Sequence, residues 1–125
     1  MSIQTRCRRL VRRFAIPEGA EATVEFIYPG PNGPRHDLQV IDVSVSGLSC
    51  IAGPELAGVD SGSTIPEVVV RFAGCEVRGE MLVMHVTPRT PEKRTIGALL
   101  YPAQDVDLVK WNSLVAGIEA VHKKS

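Results

Sequence analysis

The sequence has few cysteines and aromatic residues, and it has no long apolar run. Only three cysteines occur, Cys7, Cys50 and Cys75, and no two of them form a CxxC pair. This spacing argues against a disulfide framework or a zinc site and indicates reduced thiols, as in a cytoplasmic protein. No apolar stretch approaches the roughly 20 residues that cross a bilayer. We therefore expect no membrane span.

Motifs of catalysis and of metal or cofactor binding are also lacking. His36, His85 and His122 lie far apart and share no ligand spacing with a cysteine. The sequence contains neither a GxGxxG nor a GxxxxGK[ST] loop. Ser46 does not lie in a GxSxG elbow. The sequence therefore predicts a binding module, not an enzyme, with no metal site and no cofactor.

The composition is that of one ordinary globular domain, but the charge is unevenly distributed. Of 125 residues, 44% are hydrophobic and 22% are charged, and the formal net charge is zero. Before the first acidic residue, Glu18, the chain carries five arginines: Arg6, Arg8, Arg9, Arg12 and Arg13. Such a block of like charge attracts anions, and it leaves phosphate, an acidic partner and solvent alone as alternatives.

The pattern of apolar residues predicts a mainly β fold. Strict alternation over residues 20–28 predicts a strand that buries Ala22, Val24 and Phe26. Shorter apolar runs bounded by turn residues predict further strands at about 36–43, 48–51, 67–73, 75–87 and 94–101. After Pro102, apolar residues recur at steps of three and four, which predicts a helix over about 104–122 with Trp111 packed on the barrel. Together these elements predict a six-stranded antiparallel barrel with a C-terminal helix.

A DxSxxG motif formed by Asp42, Ser44 and Gly47 ends the second predicted strand. In an extended segment Asp42 and Ser44 project to the same face, because side chains alternate with period two. We expect Gly47 to turn the chain through a positive φ. An ordinary hairpin turn has the same composition. The motif alone therefore leaves a turn and a ligand site as alternatives.

Two overlapping RxxxR motifs precede the first long strand, one from Arg9 to Arg13 and one from Arg8 to Arg12. An RxxxR arm ahead of a barrel, followed by DxSxxG, resembles the bacterial PilZ family of cyclic di-GMP receptors. The segment at 95–100 also resembles the closing strand of that family. The resemblance implies a PilZ-like barrel of the split-barrel type over 15–125, including the helix, after a flexible basic arm over 1–14.

The resemblance also implies a ligand, cyclic di-GMP, and the residues that bind it. In the family an apolar residue that enters the barrel follows the second arginine, and Arg13-Phe14 matches this. The Arg9/Arg13 register is therefore favoured, while Arg8/Arg12 stays open. Arginine donates to phosphate oxygens or to guanine O6 and N7, and a carboxylate accepts from guanine N1–H and N2–H. The predicted ligand-binding residues are Arg8, Arg9, Arg13, Asp42, Ser44 and Gly47.

The expected function is signal transmission, since a doubly charged ligand would order the basic segment at 4–14 and alter a surface for an unknown downstream protein. One rival is single-stranded nucleic acid bound by a basic-armed barrel, which the 5% aromatic content disfavours. Another is a PilZ-like adaptor that binds no nucleotide. The sequence leaves open whether one ligand or an intercalated pair is bound, and whether the protein is a monomer or a weak homodimer.

Overall fold

The computed structural model describes residues 12–124, which form seven strands and a C-terminal helix, α1 (Asp105–Lys124). A short 3-10 helix at Pro54–Leu56 follows the fourth strand. The predicted mainly β fold with a C-terminal helix is confirmed. In chain order the strands are β1 (Phe14–Ala15), β2 (Ala22–Ile27), β3 (Arg35–Val43), β4 (Gly47–Ala52), β5 (Thr64–Phe72), β6 (Cys75–Thr90) and β7 (Lys93–Pro102).

The strands form a closed barrel of six antiparallel strands with one additional strand. Their order is β1-β3-β2-β5-β6-β7-β4, and the barrel closes because β4 also pairs with β3. The additional strand, β1, runs along β3, with Phe14 opposite Val43 and Ala15 opposite Asp42. The six-stranded barrel was predicted. The strand β1 was not predicted, since two residues are too few to show an alternation of apolar and polar side chains.

A bulge in β3 explains why apolar residues of both parities occur there. The register of β3 on β4 shifts between Val40 and Asp42. A bulge inserts one extra residue and reverses the facing of the residues beyond it. Val40 and Val43 are therefore both buried, although they lie three positions apart. The side chain of Asp42, between them, keeps 26% of its surface exposed.

Helix α1 covers the barrel with one face, and two of its buried side chains form hydrogen bonds to the barrel. Trp111 is buried, as predicted, and its Nε1–H donates to the carbonyl oxygen of Ser44 at 3.1 Å. The buried carboxylate of Asp107 accepts the backbone N–H of Arg78 at 2.9 Å. These bonds join the helix to the β3–β4 turn and to β6.

No helix within residues 12–124 combines the length and the apolar character that crossing a membrane requires.

Charged side chains on β2, β3, β5 and β6 form an ion-pair network. Glu25 accepts from Arg35 at 2.9 Å and also pairs with Arg71, while Arg71 donates to Glu76 at 2.8 Å. The hydrogen bond from Arg71 is the main cause that lowers the pKa of the Glu25 carboxyl. The same donor lowers the pKa of Glu76. Both carboxylates therefore favour their charged form in the folded protein.

This network predicts a pH-dependent stability that requires Arg71. A carboxyl with a lower pKa in the folded state stabilises fully above its unfolded pKa, about 4.3, and the stabilisation is lost as the pH falls through the folded pKa. The thermal midpoint of Arg71→Gln should lie below that of the wild type at neutral pH. The two midpoints should converge below about pH 4.

Arg89→Gln is the matched control, because Arg89 is exposed and makes no ion pair among residues 12–124. Its thermal midpoint should follow that of the wild type at every pH. A difference between the wild type and Arg71→Gln that stayed constant down to about pH 3 would contradict the assignment.

Candidate functional site

Three strands meet at the end of β3 and bring distant residues together. Asp42 pairs with Ala15 of β1 on one side and with Ser49 of β4 on the other. Arg13 comes directly before β1, so the sheet holds its backbone beside the end of β3. The β3–β4 turn is closed by the N–H of Ser44, which donates to the carbonyl oxygen of Gly47 at 2.8 Å.

The guanidinium of Arg13 forms an ion pair with Asp42. Its Nη1 lies 3.0 Å from Asp42 Oδ1 and 2.9 Å from the hydroxyl oxygen of Ser49. The Arg13 side chain is 48% exposed, and an ion pair with this much solvent access contributes about 0 to 1 kcal/mol. A ligand can therefore displace the pair at small cost.

Ser44 does not share a face with Asp42, as the sequence had predicted it would. It lies in the turn beyond β3, is 2% exposed, and its hydroxyl oxygen accepts the N–H groups of Ser46 at 3.3 Å and Gly47 at 3.2 Å. The alternation that would place it on one face with Asp42 ends with the strand at Val43. In this arrangement Ser44 stabilises the turn.

The prediction that Gly47 turns the chain through a positive φ was wrong. Its φ does not lie in the positive range that favours glycine. Gly47 pairs instead with Leu99 of β7, and a Cβ built on it would lie 2.0 Å from the carbonyl oxygen of Ala98. The position requires glycine because two backbones come too close for a side chain.

Each of the two overlapping RxxxR motifs has one arginine among the described residues, and these two arginines make different contacts. Arg13 contacts Asp42, whereas the guanidinium carbon of Arg12 lies 5.5 Å from the centroid of the Phe14 ring. Phe14 is buried in the core, as the family resemblance implied for the residue after the second arginine. The predicted residues Arg8 and Arg9 lie outside the described residues, so their part of the site stays a prediction.

No protein-family model and no curated protein matches the sequence. Among solved structures, the MrkH–c-di-GMP complex of K. pneumonia matches with a TM-score of 0.80 and 15% identity, over 91% of this chain and 53% of that one. The c-di-GMP-bound PilZ domain of YcgR from Escherichia coli matches with a TM-score of 0.73 and 12% identity, over 94% of this chain and 95% of that one. This chain has the PilZ fold. The predicted PilZ-like domain is thereby confirmed.

A further PilZ-fold neighbour is the inhibitor of motility MotI/DgrA of Bacillus subtilis, with a TM-score of 0.67 and 13% identity, over 94% of this chain and 53% of that one. The present chain spans about half the length of MrkH and of MotI. The likeness at this level of identity establishes the fold alone.

One residue at this end of the PilZ-fold barrel escaped the sequence reasoning. Ser49 is 4% exposed, and its hydroxyl accepts a hydrogen bond from Arg13 at 2.9 Å. The signal was the hairpin register, because closing the turn through Ser44 and Gly47 places Ser49 opposite Asp42.

Two grooves on the described surface of this PilZ fold are lined by residues other than Arg13 and Asp42. One, of about 250 Å³, is lined by the β5–β6 turn with Arg71 and Glu76. The other, of about 500 Å³, is lined by residues that include Glu21 and Asp37, whose carboxylates would repel an anion. Within residues 12–124, no cluster of three or more His, Cys, Asp or Glu side chains could hold a metal ion.

The close approach at Gly47 predicts a large destabilisation of Gly47→Ala. The added methyl group would meet the backbone of β7, which cannot move as a flexible side chain would, and overpacking of this kind costs about 1–3 kcal/mol. The free energy of unfolding, measured by urea denaturation, should fall by that amount.

Gly117→Ala is the control, because a Cβ there meets no atom within 4 Å. Gly117 lies in α1, where alanine is favoured over glycine by about 0.5–1 kcal/mol, so this variant should be as stable as the wild type or more stable. Equal stability of Gly47→Ala and the wild type would refute the steric explanation.

Proposed function

We propose that this PilZ-fold domain is a receptor for cyclic di-GMP and that Arg13 and Asp42 contact the ligand. The observation that carries the proposal is the 3.0 Å contact between these side chains. It joins the arginine motif to the DxSxxG motif, although 29 positions separate the two residues. The PilZ-fold neighbours MrkH and YcgR were solved with c-di-GMP bound, which supports the same ligand here.

The chemistry of the pair suits the two ends of a guanine nucleotide. A guanidinium donates bidentately to a phosphate or to guanine O6 and N7, and Arg13 would supply this group. A carboxylate accepts from guanine N1–H and N2–H, and Asp42 would supply that one. Without ligand, the guanidinium of Arg13 donates to the carboxylate of Asp42. The ligand would replace one exposed ion pair with several charge-assisted hydrogen bonds.

The remaining predicted residues take two different roles in this proposal. Ser44 and Gly47 hold the β3–β4 turn in place, and the turn in turn positions Asp42. Arg8 and Arg9 would extend the cationic surface toward the second phosphate and complete the Arg9/Arg13 register. In this proposal the arginines and the carboxylate of Asp42 contact the ligand directly.

A path for the signal begins at the residues that come after Arg13. The Phe14 ring lies 5.9 Å from the ring of His122, and His122 Nε2–H donates to the carbonyl oxygen of Ala15 at 2.7 Å. Ligand that orders the segment at 4–14 would therefore act on the C-terminal turn of α1. We propose that this turn presents the altered surface to a downstream protein, in the cytoplasm and without catalysis.

Binding should depend on both members of the pair. Calorimetric titration with cyclic di-GMP should show a loss of about 1.5–3 kcal/mol for Arg13→Ala and for Asp42→Ala, or about ten-fold to over a hundred-fold in affinity. Because the two side chains touch, the double variant should lose less than the sum of the single losses. Arg89→Ala, which removes an exposed arginine far along the chain from both motifs, should bind as the wild type does.

Three outcomes of this titration would count against the proposal. Undiminished affinity of Arg13→Ala would remove the arginine from the site. Equal affinity for cyclic di-AMP would remove the guanine contact of Asp42, because adenine lacks the N1–H and N2–H donors. Affinity that rose with the length of an oligonucleotide and ignored guanine would favour nucleic-acid binding, for which Tyr101 is the exposed aromatic residue among those described.

Ligand-induced ordering of the arm predicts protection from trypsin. Cleavage after the arginines of the first thirteen residues should slow when cyclic di-GMP is added, because an ordered segment fits a protease poorly. Arg89 and Lys93 lie in the paired strands of the β6–β7 hairpin and provide the internal control, since both should resist cleavage equally with and without ligand. Equal cleavage of the arm with and without ligand would contradict the switch.

A further inference from the structure

Helix α1 carries an apolar face that the barrel does not use. Val106 and Val109 are 53% and 64% exposed, although valine is normally buried. With the exposed Ser113, Ala116 and Ala120 they recur at steps of three and four, on the side opposite the buried Trp111. This set of five, here named the outer face, contains no charged residue over a length of about 21 Å.

We propose that a second copy of this chain docks on the outer face, antiparallel and about a twofold axis. Such an axis makes the same patch meet itself with its direction reversed. One register places Val109 against Ala120 of the partner subunit and Ser113 against Ala116 of the partner subunit. Val109 and Ser113 then each face an alanine, which allows the two helices to approach closely, and Val106 lies beside the aliphatic part of Lys123 of the partner subunit.

The charges that flank the outer face select the antiparallel direction. Asp105 and Lys123 are 18 positions apart, which is five turns of 3.6 residues, so both lie on the same edge of the helix. The antiparallel register described above brings Asp105 beside Lys123 of the partner subunit, twice in each dimer. In a parallel pair about a twofold axis, the edge that carries Asp105 and Lys123 would face the other edge of the partner helix, so this pairing would be lost. Antiparallel helix dipoles add to this preference.

Lys123 is available for this contact. Its side chain is 70% exposed and pairs with Glu119 of its own helix at 3.3 Å. The partner subunit's Asp105 would join this pair and form a small network. The contact lies on α1 and uses neither Arg13 nor Asp42, so the dimer can be tested without the proposed ligand.

The size of the outer face sets the expected affinity. A patch about 21 Å long and about 10 Å wide buries far less than the roughly 800 Å² per partner of a standard stable interface. The dimer should therefore be weak, with a dissociation constant in the range of about 10 μM to 1 mM. It would form at high local concentration and dissociate on dilution.

Sedimentation equilibrium of the full chain between about 10 μM and 1 mM tests the dimer. The wild type should show a monomer–dimer equilibrium, and Val109→Glu should raise the dissociation constant at least about ten-fold, since it places two unpaired charges in the interface. Met84→Glu is the matched control, because Met84 is 48% exposed on β6 and should not change the equilibrium. A monomeric wild type at every concentration, or a Val109→Glu chain that dimerises normally, would overturn the proposal.

Charge reversal tests the direction of the helices. Asp105→Lys and Lys123→Glu should each weaken the dimer by opposing like charges, and the chain that carries both changes should recover the wild-type equilibrium. Circular dichroism of each variant checks that the fold is retained. Failure of the double reversal to restore the dimer would overturn the antiparallel arrangement. Binding of a different protein to the outer face of a monomeric wild type would overturn the proposal that a second copy of this chain docks there.

Discussion

The buried hydrogen bond from Trp111 Nε1–H to the carbonyl oxygen of Ser44 joins the helix, the barrel and the candidate site. A buried carbonyl without a partner would cost about 1–3 kcal/mol, so the indole and the turn depend on each other. The hydroxyl of Ser44 holds the same turn from within through the N–H of Gly47. The helix thereby fixes the inner side of the turn, and Asp42 stays at the surface beside it.

The site then results from the way the sheet closes. Strand β3 pairs with β2 over residues 35–39, and its last residues pair with β1 and β4. These pairings hold Arg13 and Ser49 on either side of Asp42. Arg13 and Asp42 thus place a cation beside an anion, and these are the two groups that the proposed ligand would contact. The strand β1 connects this pair to His122 at the end of α1.

Helix α1 serves two surfaces at once. Its inner face packs Trp111, Val115 and Ile118 on the barrel, while Val106 and Val109 face outward. Apolar residues on both faces are unusual for a helix whose only task is to cover a core. In the proposals above, this helix would both receive the signal at its C-terminal turn and present an interaction surface along its length.

Arg13 and Asp42 were predicted as site residues through the resemblance of the arginine and DxSxxG motifs to the PilZ family. Local patterns in the sequence determined the elements: alternation predicted β2, and steps of three and four predicted α1. These signals are local, since they depend on side-chain periods within one strand or helix. The tertiary structure decided that Arg13 lies against Asp42 and Ser49, that Ser44 is buried, and that Gly47 avoids the backbone of β7 and has no positive φ. Each of these facts joins segments far apart in the chain, and only the register of the closed barrel brings them together.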